Sequence, residues 1–581
     1  MKRLIIVGGV AAGASAAAKA RRMSEEIEII LFEAGPYISF ANCGLPYYLG
    51  GEIVERSKLV VTTESAFAQR FQVDVRTRTP VESVDAVARR VTFRGPDGEV
   101  DSLSYDRLIL ATGTEAMVPP IQGIDSKRVF PVRTIPDVDR ISAVMAERGV
   151  RRTVCGSGKG CHVLVIGAGY IGIETAEQLG RLGMSVTIVE LADQVMPVLD
   201  PEIARPAQLA LEETGIRVIL DDGLETLAPE GADLVATTSS GETIRVDFAI
   251  LAAGVRPNVR LAVSAGLTLG ASGAIQVDRF QRTSDPSIYA AGDNSETMHR
   301  VLGRPVNIPL AGPANKAGRI AGANAALDLL ARPDSDPGRL SFKGTLGTAV
   351  VRAGDTFVAM TGLTEKQAIS EGINHQVTYV AGSNHAGYYP GAKPILLKLL
   401  TEPSSGKVIG AQAVGGEGVE KRVDVFATAI QGGFTIEDIE DLDLCYAPPV
   451  GSARDVAIQA GFYGSNCKRS VSPSITPAEF LALREAREVF TIDVRTAKEF
   501  SDEHLDGAVN IDVDLLRERL AQVPSDRPIY LYCQGGYRSY LAQRILLNSG
   551  WSEVYNIQGG FGLISQFLPL GRARAKEFQL S

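Results

Sequence analysis

Two cysteines stand in segments where a thiol could do chemistry. Cys43 lies in the run SFANCGLPY, residues 39–47, ten residues after the acidic residue Glu33. Cys533 opens the run CQGGYRS, residues 533–539, between a predicted strand and a predicted helix. A cysteine thiolate is a nucleophile and can be oxidised reversibly to a mixed disulfide, a persulfide or a sulfenic acid. The two positions therefore indicate electron transfer at Cys43 and the holding of an anionic sulfur at Cys533.

The segment before Cys43 has the pattern of a nucleotide-binding βαβ unit. A short apolar strand, Leu4–Val7, leads into the glycine loop GGVAAG, residues 8–13, and a helix of small residues that runs to about Arg22. The second strand ends at Glu33, whose carboxylate suits ribose hydroxyls while the helix N-terminus suits a pyrophosphate. The middle position of the usual fingerprint is Val10 instead of glycine.

A second unit of the same type follows with a complete fingerprint. The strand Val163–Ile166 leads into GAGYIG, residues 167–172, and after a helix the strand Ser185–Val189 ends at Glu190. Glu190 favours the free 2′-hydroxyl of NAD, because the 2′-phosphate of NADP would meet its negative charge. We therefore expect NADH, with NADPH left open because nearby arginines can accommodate a phosphate.

Length and composition predict a globular protein of several domains. A chain of 581 residues is too long for one core, and about three to five domains is the prior for this length. The net charge of −9 argues against nucleic-acid or anionic-membrane partners. With no signal peptide and no run near the ~18 apolar residues of a membrane span, we expect a cytoplasmic location. The six scattered cysteines predict neither a disulfide framework nor a metal site.

Three further runs complete a pattern known from one family. They are LILATG at residues 108–113, AILAAGVRPN at 249–258 and SIYAAGD at 287–293. With the two fingerprints, this set resembles the two-dinucleotide flavoprotein reductases of the pyridine nucleotide–disulfide family over about residues 1–460. The resemblance implies FAD in the first site and NAD in the second. The implied cofactor-binding residues are Gly8, Gly9, Ala12, Gly13, Glu33, Ala111, Thr112, Gly113, Gly167, Gly169, Ile171, Gly172, Glu190, Gly254, Gly292 and Asp293.

The residues around Cys43 indicate which branch of that family the chain resembles. Cys43 has no partner in a Cys-x4-Cys pair, which disfavours the two-cysteine disulfide branch. The run at residues 39–47 resembles the coenzyme A disulfide reductases and their persulfide-reducing relatives, which implies Cys43 as the redox centre. Peroxide-reducing single-cysteine relatives carry a histidine in the first glycine loop, where this chain has Val10-Ala11-Ala12.

The same resemblance implies coenzyme A as the bound thiol. Lys19 and Arg22 lie near one helical face and could bind its phosphates, although a solvated helix face explains them equally well. Tyr388 and Tyr446 would come from the other subunit of a homodimer and hydrogen-bond the departing thiolate. Tyr389 is an adjacent alternative, and buried interface aromatics are another explanation for both positions. The implied substrate-binding residues are Ser15, Lys19, Arg22, Ser39, Asn42, Arg70, Asn307 and Arg454.

The C-terminal part, about residues 475–570, resembles a single rhodanese domain. Its loop from Cys533 to Arg538 is six residues long, one shorter than phosphatase loops of similar design, and so suits sulfur. Consecutive backbone N–H groups at a helix start lower the pKa of a thiol, and Arg538 would add positive charge. A degenerate module used only for contacts is the alternative. The run CGSGKGC at residues 155–161 contains two cysteines, which could form a redox pair or a pair of metal ligands. We interpret this run instead as a surface insertion.

The predicted fold class is α/β, with two Rossmann-like dinucleotide-binding domains, an α+β dimerisation domain and a C-terminal α/β rhodanese domain. The predicted boundaries are 1–115 and 249–325 for FAD, 116–248 for NAD, 326–462 for dimerisation, 463–475 for a polar linker and 476–581 for rhodanese. The implied activity is reduction of coenzyme A persulfide, polysulfide or coenzyme A disulfide by NAD(P)H. The implied catalytic residues are Cys43, Cys533, Tyr388, Tyr446 and Arg538.

Two other functions stay open on the sequence. One is an NADH oxidase or peroxidase with a bystander rhodanese module, against which the missing loop histidine counts. The other is a non-catalytic scaffold whose cysteines report sulfur status, which would bind its cofactors tightly with negligible turnover.

Overall fold

The computed structural model of the protein describes residues 1–567, which form two compact units. The first unit contains residues 1–193 and 212–347. The second contains residues 194–211 and 348–567. None of the helices within residues 1–567 combines the length and apolar character needed to cross a membrane.

The first unit begins with a five-stranded parallel sheet. Leu4, Ile5 and Ile6 in its central strand are completely buried, as expected for a parallel sheet covered on both faces. The helix Ala11–Met23 follows the glycine loop and starts earlier than the predicted Ala14. In spatial order the strands are Ile288–Ala290, Arg107–Leu110, Arg3–Val7, Glu28–Phe32 and Asp74–Arg76.

Small residues let two helices of this unit pack in close contact. The helix Ala11–Met23 lies against the helix Ala311–Leu329. A Cβ at Gly318 would stand 2.1 Å from the carbonyl oxygen of Ala12. Since that oxygen belongs to the backbone, it cannot move aside as a flexible side chain would.

We expect Gly318→Ala to lower the free energy of unfolding by about 1–3 kcal/mol through overpacking. Gly312 is the matched control, because it lies on the same helix and a Cβ there meets no atom within 4 Å. Gly312→Ala should be neutral or slightly stabilising. Thermal or denaturant unfolding measures both, and equal stabilities of the two variants would contradict the close helix contact.

A second parallel sheet in the same unit surrounds the second glycine loop. Its strands in order are Arg217–Ile219, Ser185–Val189, His162–Ile166, Phe248–Leu251 and Val129–Pro131. The predicted boundary at residue 249 is therefore wrong, because it falls inside a strand. The apolar run Phe248–Leu251 pairs in parallel with His162–Ile166, so residues 249–251 belong to this sheet and not to the first one.

Smaller elements complete the first unit. One three-stranded sheet consists of Val81–Asp85, Arg90–Arg94 and Val100–Ser104, and another of Leu224–Glu230, Asp233–Thr238 and Thr243–Val246. Two strand pairs are formed by Thr114–Ala116 with Val255–Pro257 and by Thr297–Met298 with Pro305–Val306. The remaining α-helices are Leu45–Leu49, Glu64–Phe71, Ile135–Glu147, Tyr170–Arg181 and Arg260–Ser264, with 3-10 turns at Asn42–Gly44 and Arg56–Leu59.

The segment at residues 155–161 consists of turns. Cys155 is exposed and its Sγ lies 3.4 Å from the carbonyl oxygen of Arg181, whereas Cys161 is buried. Burial and the nearby Asp247 raise the pKa of the Cys161 thiol to about 12. All six cysteines carry free thiols, so these two do not form a disulfide.

The second unit contains a five-stranded antiparallel sheet on which helices pack. The strands in order are Ala349–Ala353, Thr356–Gly362, Val408–Gly415, Pro394–Thr401 and Gln376–Ser383. The helices Val419–Gly432 and Val456–Lys468 pack on this sheet. Its other helices are Pro201–Glu213, whose last two residues belong to the first unit, and Glu365–Ser370 and Ile436–Glu440.

The C-terminal module has its own parallel sheet. The strands in order are Ser474–Ile475, Val554–Ile557, Ile529–Tyr532, Phe490–Asp493 and Val509–Asn510. The helices are Pro477–Ala486, Ala497–Asp502, Tyr537–Asn548 and Gly560–Phe567, with 3-10 turns at Leu516–Glu518 and Leu520–Gln522. The part of the predicted rhodanese range after residue 567 lies outside the described residues.

The stretch at 463–475, predicted as a linker, is largely structured. Its first part continues the helix Val456–Lys468, and its end forms the edge strand Ser474–Ile475. Between them, Ser472 donates a hydrogen bond to the buried Gln543 amide, 2.6 Å between heavy atoms. Polar residues that the sequence suggests are coil thus form hydrogen bonds with side chains of the helix Tyr537–Asn548.

The C-terminal module also binds the edge of the antiparallel sheet. The Gln558 side chain accepts a hydrogen bond from the backbone N–H of Tyr379 at 2.8 Å and donates to the carbonyl of Val377 at 3.2 Å. The amide therefore takes the place of a neighbouring strand at this edge. Leu563 packs against Val377 and Tyr379, so the contact has an apolar part as well.

Candidate active site

At two positions of the first glycine loop, only glycine fits the backbone geometry. Gly8 adopts φ +101°, and a Cβ there would lie 2.1 Å from the carbonyl oxygen of Ala111. A Cβ at Gly13 would lie 1.7 Å from the carbonyl oxygen of Gly8. Val10 has a negative φ of −92°, so this position does not require the left-handed backbone that favours glycine.

The second glycine loop repeats this geometry. Gly167 adopts φ +102°, and a Cβ at Gly172 would lie 2.0 Å from the carbonyl oxygen of Gly167. Space around Gly169 is open, and Ile171 is more than a third exposed, so both can approach a ligand. The two loops therefore present similar cradles at the N-termini of Ala11–Met23 and Tyr170–Arg181.

The acid after each unit holds its own glycine loop. Glu33 accepts hydrogen bonds from the backbone N–H groups of Gly9 and Gly35, both at 2.7 Å. Glu190 accepts from Ala168 at 2.7 Å and Ala192 at 3.0 Å. Each carboxylate oxygen keeps a second lone pair for a ribose hydroxyl. The spacing argument found these acids, but it did not reveal that they also brace the loops.

A buried acidic residue without a partner marks the first cradle. Asp293 Oδ1 is buried and has no hydrogen-bond partner in the described structure, which is costly unless a ligand completes it. Burial raises the pKa of Asp293, and the positive charge of Arg133 partly offsets this. Next to Asp293, Gly292 adopts φ +97° and a Cβ there would lie 2.9 Å from that of Ala12. These features fit the FAD that the resemblance implies.

The other cofactor residues predicted for this unit lie on its strand ends. The Thr112 hydroxyl donates to the carbonyl of Asn258 at 2.6 Å, and Gly113 adopts φ +63° with open space around it. Gly254 also has a positive φ, +102°, and open space. Arg133 was missed by the sequence analysis, because no local pattern connects it with Asp293 across the chain.

Cys43 lies between the two cradles. It sits in the 3-10 turn Asn42–Gly44, and the following short helix, Leu45–Leu49, packs against Tyr170–Arg181. The Asn42 side chain accepts from the Cys43 backbone N–H at 3.1 Å, and its Oδ1 is 3.7 Å from Cys43 Sγ. Cys43 is exposed. The fold thus places an accessible thiol next to the helix that starts at the second glycine loop.

Desolvation and two acidic neighbours disfavour the thiolate of Cys43. Burial of the sulfur raises the pKa of the thiol, and the carboxylates of Glu174 and Asp293 raise it further. Glu174, which sequence reasoning missed, accepts a hydrogen bond from the Tyr47 hydroxyl at 2.9 Å. These surroundings favour the protonated thiol over the thiolate.

Three cations gather near the predicted coenzyme A residues. The pKa of Lys19 is lowered by burial and by the positive charges of Arg319 and Arg22. The mutual repulsion of these cations makes the patch favourable for an anion. Arg319 was missed by the sequence analysis, because it belongs to a helix 300 residues away from Lys19. Asn315 of the same helix donates to the Ser15 hydroxyl at 2.7 Å.

The remaining substrate candidates have different surroundings. Ser39 adopts φ +45°, an unusual conformation for serine that suits a functional turn. The Asn307 amide donates to the carbonyls of Asp293 and Ser295 at 2.9 and 3.2 Å, so it braces the cradle. Arg70 is exposed in the last turn of Glu64–Phe71, and no contact joins it to the other candidates in the described structure.

In the second unit, the two predicted tyrosines meet on the surface. The hydroxyls of Tyr388 and Tyr446 are 3.1 Å apart. Both side chains are exposed, at 77% and 47%, which leaves them free to contact another chain. The hydrogen bond with Tyr446 raises the pKa of Tyr388, so this phenol keeps its proton. The adjacent Tyr389 instead stacks edge-on against His385, 5.5 Å between ring centroids.

The C-terminal loop wraps around the sulfur of Cys533. The backbone N–H of Gly536 donates to Cys533 Sγ at 3.1 Å, and the Ser539 hydroxyl lies 3.4 Å from the same atom. Gly536 adopts φ +101°, which turns its N–H into the loop. The sulfur is buried, and two hydrogen-bond donors of the loop point at it.

Arg538 does not act as a free positive charge. Its guanidinium pairs with both carboxylate oxygens of Glu499, at 2.8 and 2.7 Å. This pair lowers the pKa of Glu499 to about 2 and raises that of Arg538. Glu499 also completes a capping box with Thr496. The sequence did not show this pairing, since the two residues are on different elements of the module.

The protein-family comparisons agree with this architecture. Residues 2–318 match the pyridine nucleotide-disulphide oxidoreductase family, and residues 350–458 match its dimerisation domain. Residues 476–566 match the rhodanese-like domain. The predicted fold class is therefore confirmed.

Two curated relatives cover most of the nucleotide-binding and dimerisation regions. An NADH oxidase of Methanocaldococcus jannaschii is 35% identical over 455 residues, 78% of this chain and 96% of the relative. An NAD(P)H coenzyme A polysulfide/persulfide reductase of Pyrococcus horikoshii is 33% identical over 466 residues, 79% of this chain and 97% of the relative.

Two solved structures resemble the chain along nearly its whole length, including the C-terminal module. The reduced Bacillus anthracis CoADR-RHD has 42% identity, a TM-score of 0.91 and coverage of 98% of both chains. An NAD-dependent persulfide reductase from A. fulgidus has 35% identity, a TM-score of 0.86 and coverage of 97% of this chain and 99% of the other. Together with the two nucleotide cradles that flank Cys43, these matches show that the chain belongs to the pyridine nucleotide-disulphide oxidoreductase family and ends in a rhodanese-like domain.

Proposed function

We propose that the protein is a FAD-dependent, NAD(P)H-oxidising reductase of coenzyme A persulfide, polysulfide and coenzyme A disulfide. The observation that carries this proposal is the position of Cys43, an accessible thiol between two nucleotide cradles. A bound FAD would supply two-electron transfer between a reduced nicotinamide and this thiol. The orphaned Asp293 carboxylate and the loop Gly8–Gly13 would hold it.

Cys43 is the proposed nucleophile. Its thiolate attacks one sulfur of a bound disulfide, a bond forms to that sulfur, and the other thiol leaves with the electron pair of the broken S–S bond. With a persulfide, attack at the carbon-linked sulfur releases hydrosulfide in the same way. A hydride equivalent from NAD(P)H and one further proton then reduce the mixed disulfide, so that its S–S bond breaks, Cys43 returns to the thiol and the bound thiol is released. The turn Asn42–Gly44 contains no second cysteine, so the proposed reduction step uses the Cys43 thiol alone.

The cationic patch supports coenzyme A as the thiol. Lys19, Arg22 and Arg319 lie close enough for their charges to influence one another, as an anion site requires. The P. horikoshii relative is named for coenzyme A polysulfide and persulfide, and the A. fulgidus structure for persulfide. For the nicotinamide, the carboxylate of Glu190 favours NADH over NADPH.

The C-terminal module is proposed to carry sulfane sulfur on Cys533. The Gly536 N–H and Ser539 hydroxyl would stabilise the anionic persulfide that forms there. The match to the dimerisation domain supports a homodimer. In that dimer, the exposed pair Tyr388 and Tyr446 would donate a proton to the departing thiolate of the partner's site.

An anaerobic assay of NADH oxidation tests this function. We expect turnover with at least one of coenzyme A persulfide, coenzyme A disulfide and polysulfide that exceeds turnover with oxygen or peroxide by at least about tenfold in kcat/KM. Faster turnover with oxygen would favour an oxidase, the activity for which the M. jannaschii relative is named. Tight binding of both cofactors with no turnover on any of these substrates would favour a redox-sensing scaffold.

A further inference from the structure

Residues 151–161, the clamp segment, lie against the helix that follows Cys43. They include the run with two cysteines that the proposed function does not use. A Cβ at Gly51, just after the helix Leu45–Leu49, would stand 1.8 Å from the carbonyl oxygen of Arg152. The two backbones are therefore in direct contact, and the site leaves no room for a side chain between them.

Arg152 also holds the end of this helix through its side chain. Its Nη1 donates a hydrogen bond to the carbonyl oxygen of Tyr48 at 2.6 Å, and its guanidinium carbon lies 3.6 Å from the centroid of the Tyr48 ring. Tyr48 is 4% exposed. Carbonyl groups in the last turn of a helix lack partners within the helix, and a cationic donor satisfies one of them strongly. Arg152 therefore fixes both the backbone and the ring of Tyr48.

The other side of the clamp segment is attached to the helix Tyr170–Arg181. The Gly158 N–H donates to the carbonyl of Leu182 at 2.9 Å. A Cβ at Gly183 would stand 2.8 Å from the Cα of Gly156, so these backbones also touch. The segment thus joins the helix after Cys43 to the end of Tyr170–Arg181 that lies away from the second glycine loop.

The seating of Leu45–Leu49 on Tyr170–Arg181 determines where the redox thiol lies. A Cβ at Gly50 would stand 2.0 Å from Oε1 of Gln178, so the two helices are in close contact there. The turn Asn42–Gly44, which carries Cys43, runs into Leu45 without a break. A shift of the short helix would therefore move the sulfur relative to the second nucleotide cradle.

We infer that Arg152 is a positioning residue for Cys43, and that the clamp segment holds the thiol in register with the nicotinamide cradle. Arg152 acts through Tyr48 and not by contact with the sulfur. The inference rests on the proposed function, because the position of the thiol matters for turnover only if electrons pass through Cys43. The run predicted as a surface insertion thereby acquires a role in the reaction.

The first test compares Arg152→Gln with Arg151→Gln. Arg151 is the matched control, because its side chain is exposed and makes no hydrogen bond or ion pair among residues 1–567. In Arg152→Gln we expect kcat for NADH-dependent reduction of coenzyme A disulfide to fall by about five- to thirtyfold, with both KM values unchanged within about twofold. Arg152→Lys keeps a cationic donor and should recover most of the loss. Arg151→Gln should match the unmodified protein.

The second test measures the thiol without turnover. The protein with its FAD is treated with iodoacetamide, and mass spectrometry follows the peptide that contains Cys43. We expect alkylation of Cys43 to be about three- to tenfold faster in Arg152→Gln than in Arg151→Gln, because a loosened turn exposes the sulfur to water. The exposed Cys445 is the internal reference and should react equally in both. This assay needs neither NADH nor substrate, so it tests the clamp even if the unmodified protein is not a reductase.

A glycine pair tests the backbone contact independently. Gly51 and Gly149 have similar positive φ angles, +81° and +77°, so alanine strains the backbone at either position. Only at Gly51 would the new Cβ meet Arg152, since a Cβ at Gly149 meets no atom within 4 Å. Gly51→Ala should therefore show the faster alkylation of Cys43, and Gly149→Ala should not. Equal alkylation of Cys43 in Arg152→Gln and Arg151→Gln, or in the two alanine variants, would overturn the inference.

Discussion

Cys43→Ser should lose at least about a thousandfold in kcat/KM for NADH-dependent reduction of sulfur substrates. A serine hydroxyl has no accessible anion near neutral pH and cannot form an S–S bond, so neither the attack nor the oxidised enzyme state is available. Asn42, 3.7 Å from the sulfur, and the turn Asn42–Gly44 should keep their geometry, because the change replaces one atom by a smaller one. Anaerobic NADH oxidation in the presence of the substrate measures the loss.

Two controls separate this effect from damage to the fold. Oxidation of NADH with an artificial electron acceptor should persist in Cys43→Ser, since the glycine loops are untouched. Cys533→Ser should retain reduction of a supplied coenzyme A persulfide and lose sulfur transfer from thiosulfate. Turnover of Cys43→Ser within tenfold of the unmodified protein would remove Cys43 from the mechanism.

The second large effect is expected at a buried cluster of charges. Lys398 is 1% exposed, and its ammonium lies 2.8 Å from Asp200 and 2.5 Å from Glu365, with Glu202 closer still. The carboxylate oxygens of these three residues lie within 4.8 Å of one another, an arrangement that could hold a metal ion, and the lysine takes that place. The Tyr379 hydroxyl also donates to Glu202 at 2.6 Å.

Lys398→Met should therefore lower the free energy of unfolding by about 3–5 kcal/mol near neutral pH, because it leaves buried carboxylates without their cation. Lys393→Met is the matched control. Lys393 is exposed and pairs at 3.3 Å with Asp355, which is almost fully exposed, so its loss should cost at most about 0.5 kcal/mol. Denaturant unfolding of both variants measures the difference, and equal costs would contradict a buried ionic role for Lys398.

The pH dependence of this variant has a definite sign. Burial alone would raise the pKa of Asp200, but Lys398 and the backbone N–H groups of Glu365 and Lys366 outweigh it and lower the pKa. In the unmodified protein this carboxylate stabilises the fold above its unfolded pKa, near 4, and the contribution is lost as pH falls through the lower folded value. Without Lys398 the carboxylates bind protons more readily. The deficit of Lys398→Met should then grow as the pH rises from about 5 to 8.

Local patterns predicted the elements around the nucleotide cradles well. The strand Ser185–Val189 has the predicted bounds, and the strands around Leu4–Val7 and Val163–Ile166 begin one residue earlier than predicted. These segments are continuous apolar runs next to glycines with positive φ, so neighbours in sequence determine the conformation. The boundary at residue 249 and the linker at 463–475 failed, because strand pairing and contacts with Gln543 are made by distant segments.

The site was predictable in its members but not in its electrostatics. Sequence motifs and the family resemblance pointed to Cys43, Asp293 and Cys533. They gave no sign that the charge of Arg133 acts on Asp293 or that Glu499 pairs with Arg538. Each of these partners comes from a separate element, and its approach depends on how the sheets and helices pack. A one-dimensional pattern does not contain that packing.

By itself, the order of residues determined two nucleotide cradles, a single thiol between them and a second thiol at a helix start, because glycine loops, apolar runs and turn residues act over a few neighbours. Only the tertiary structure decided which charges surround each thiol, that Arg319 joins Lys19, that Lys398 fills a ring of carboxylates, and that Arg454 lies near the ring of Tyr537. The physical reason is the different range, along the chain, of the interactions involved. Backbone preferences are local, whereas burial and charge pairing depend on segments that meet only when the chain has folded.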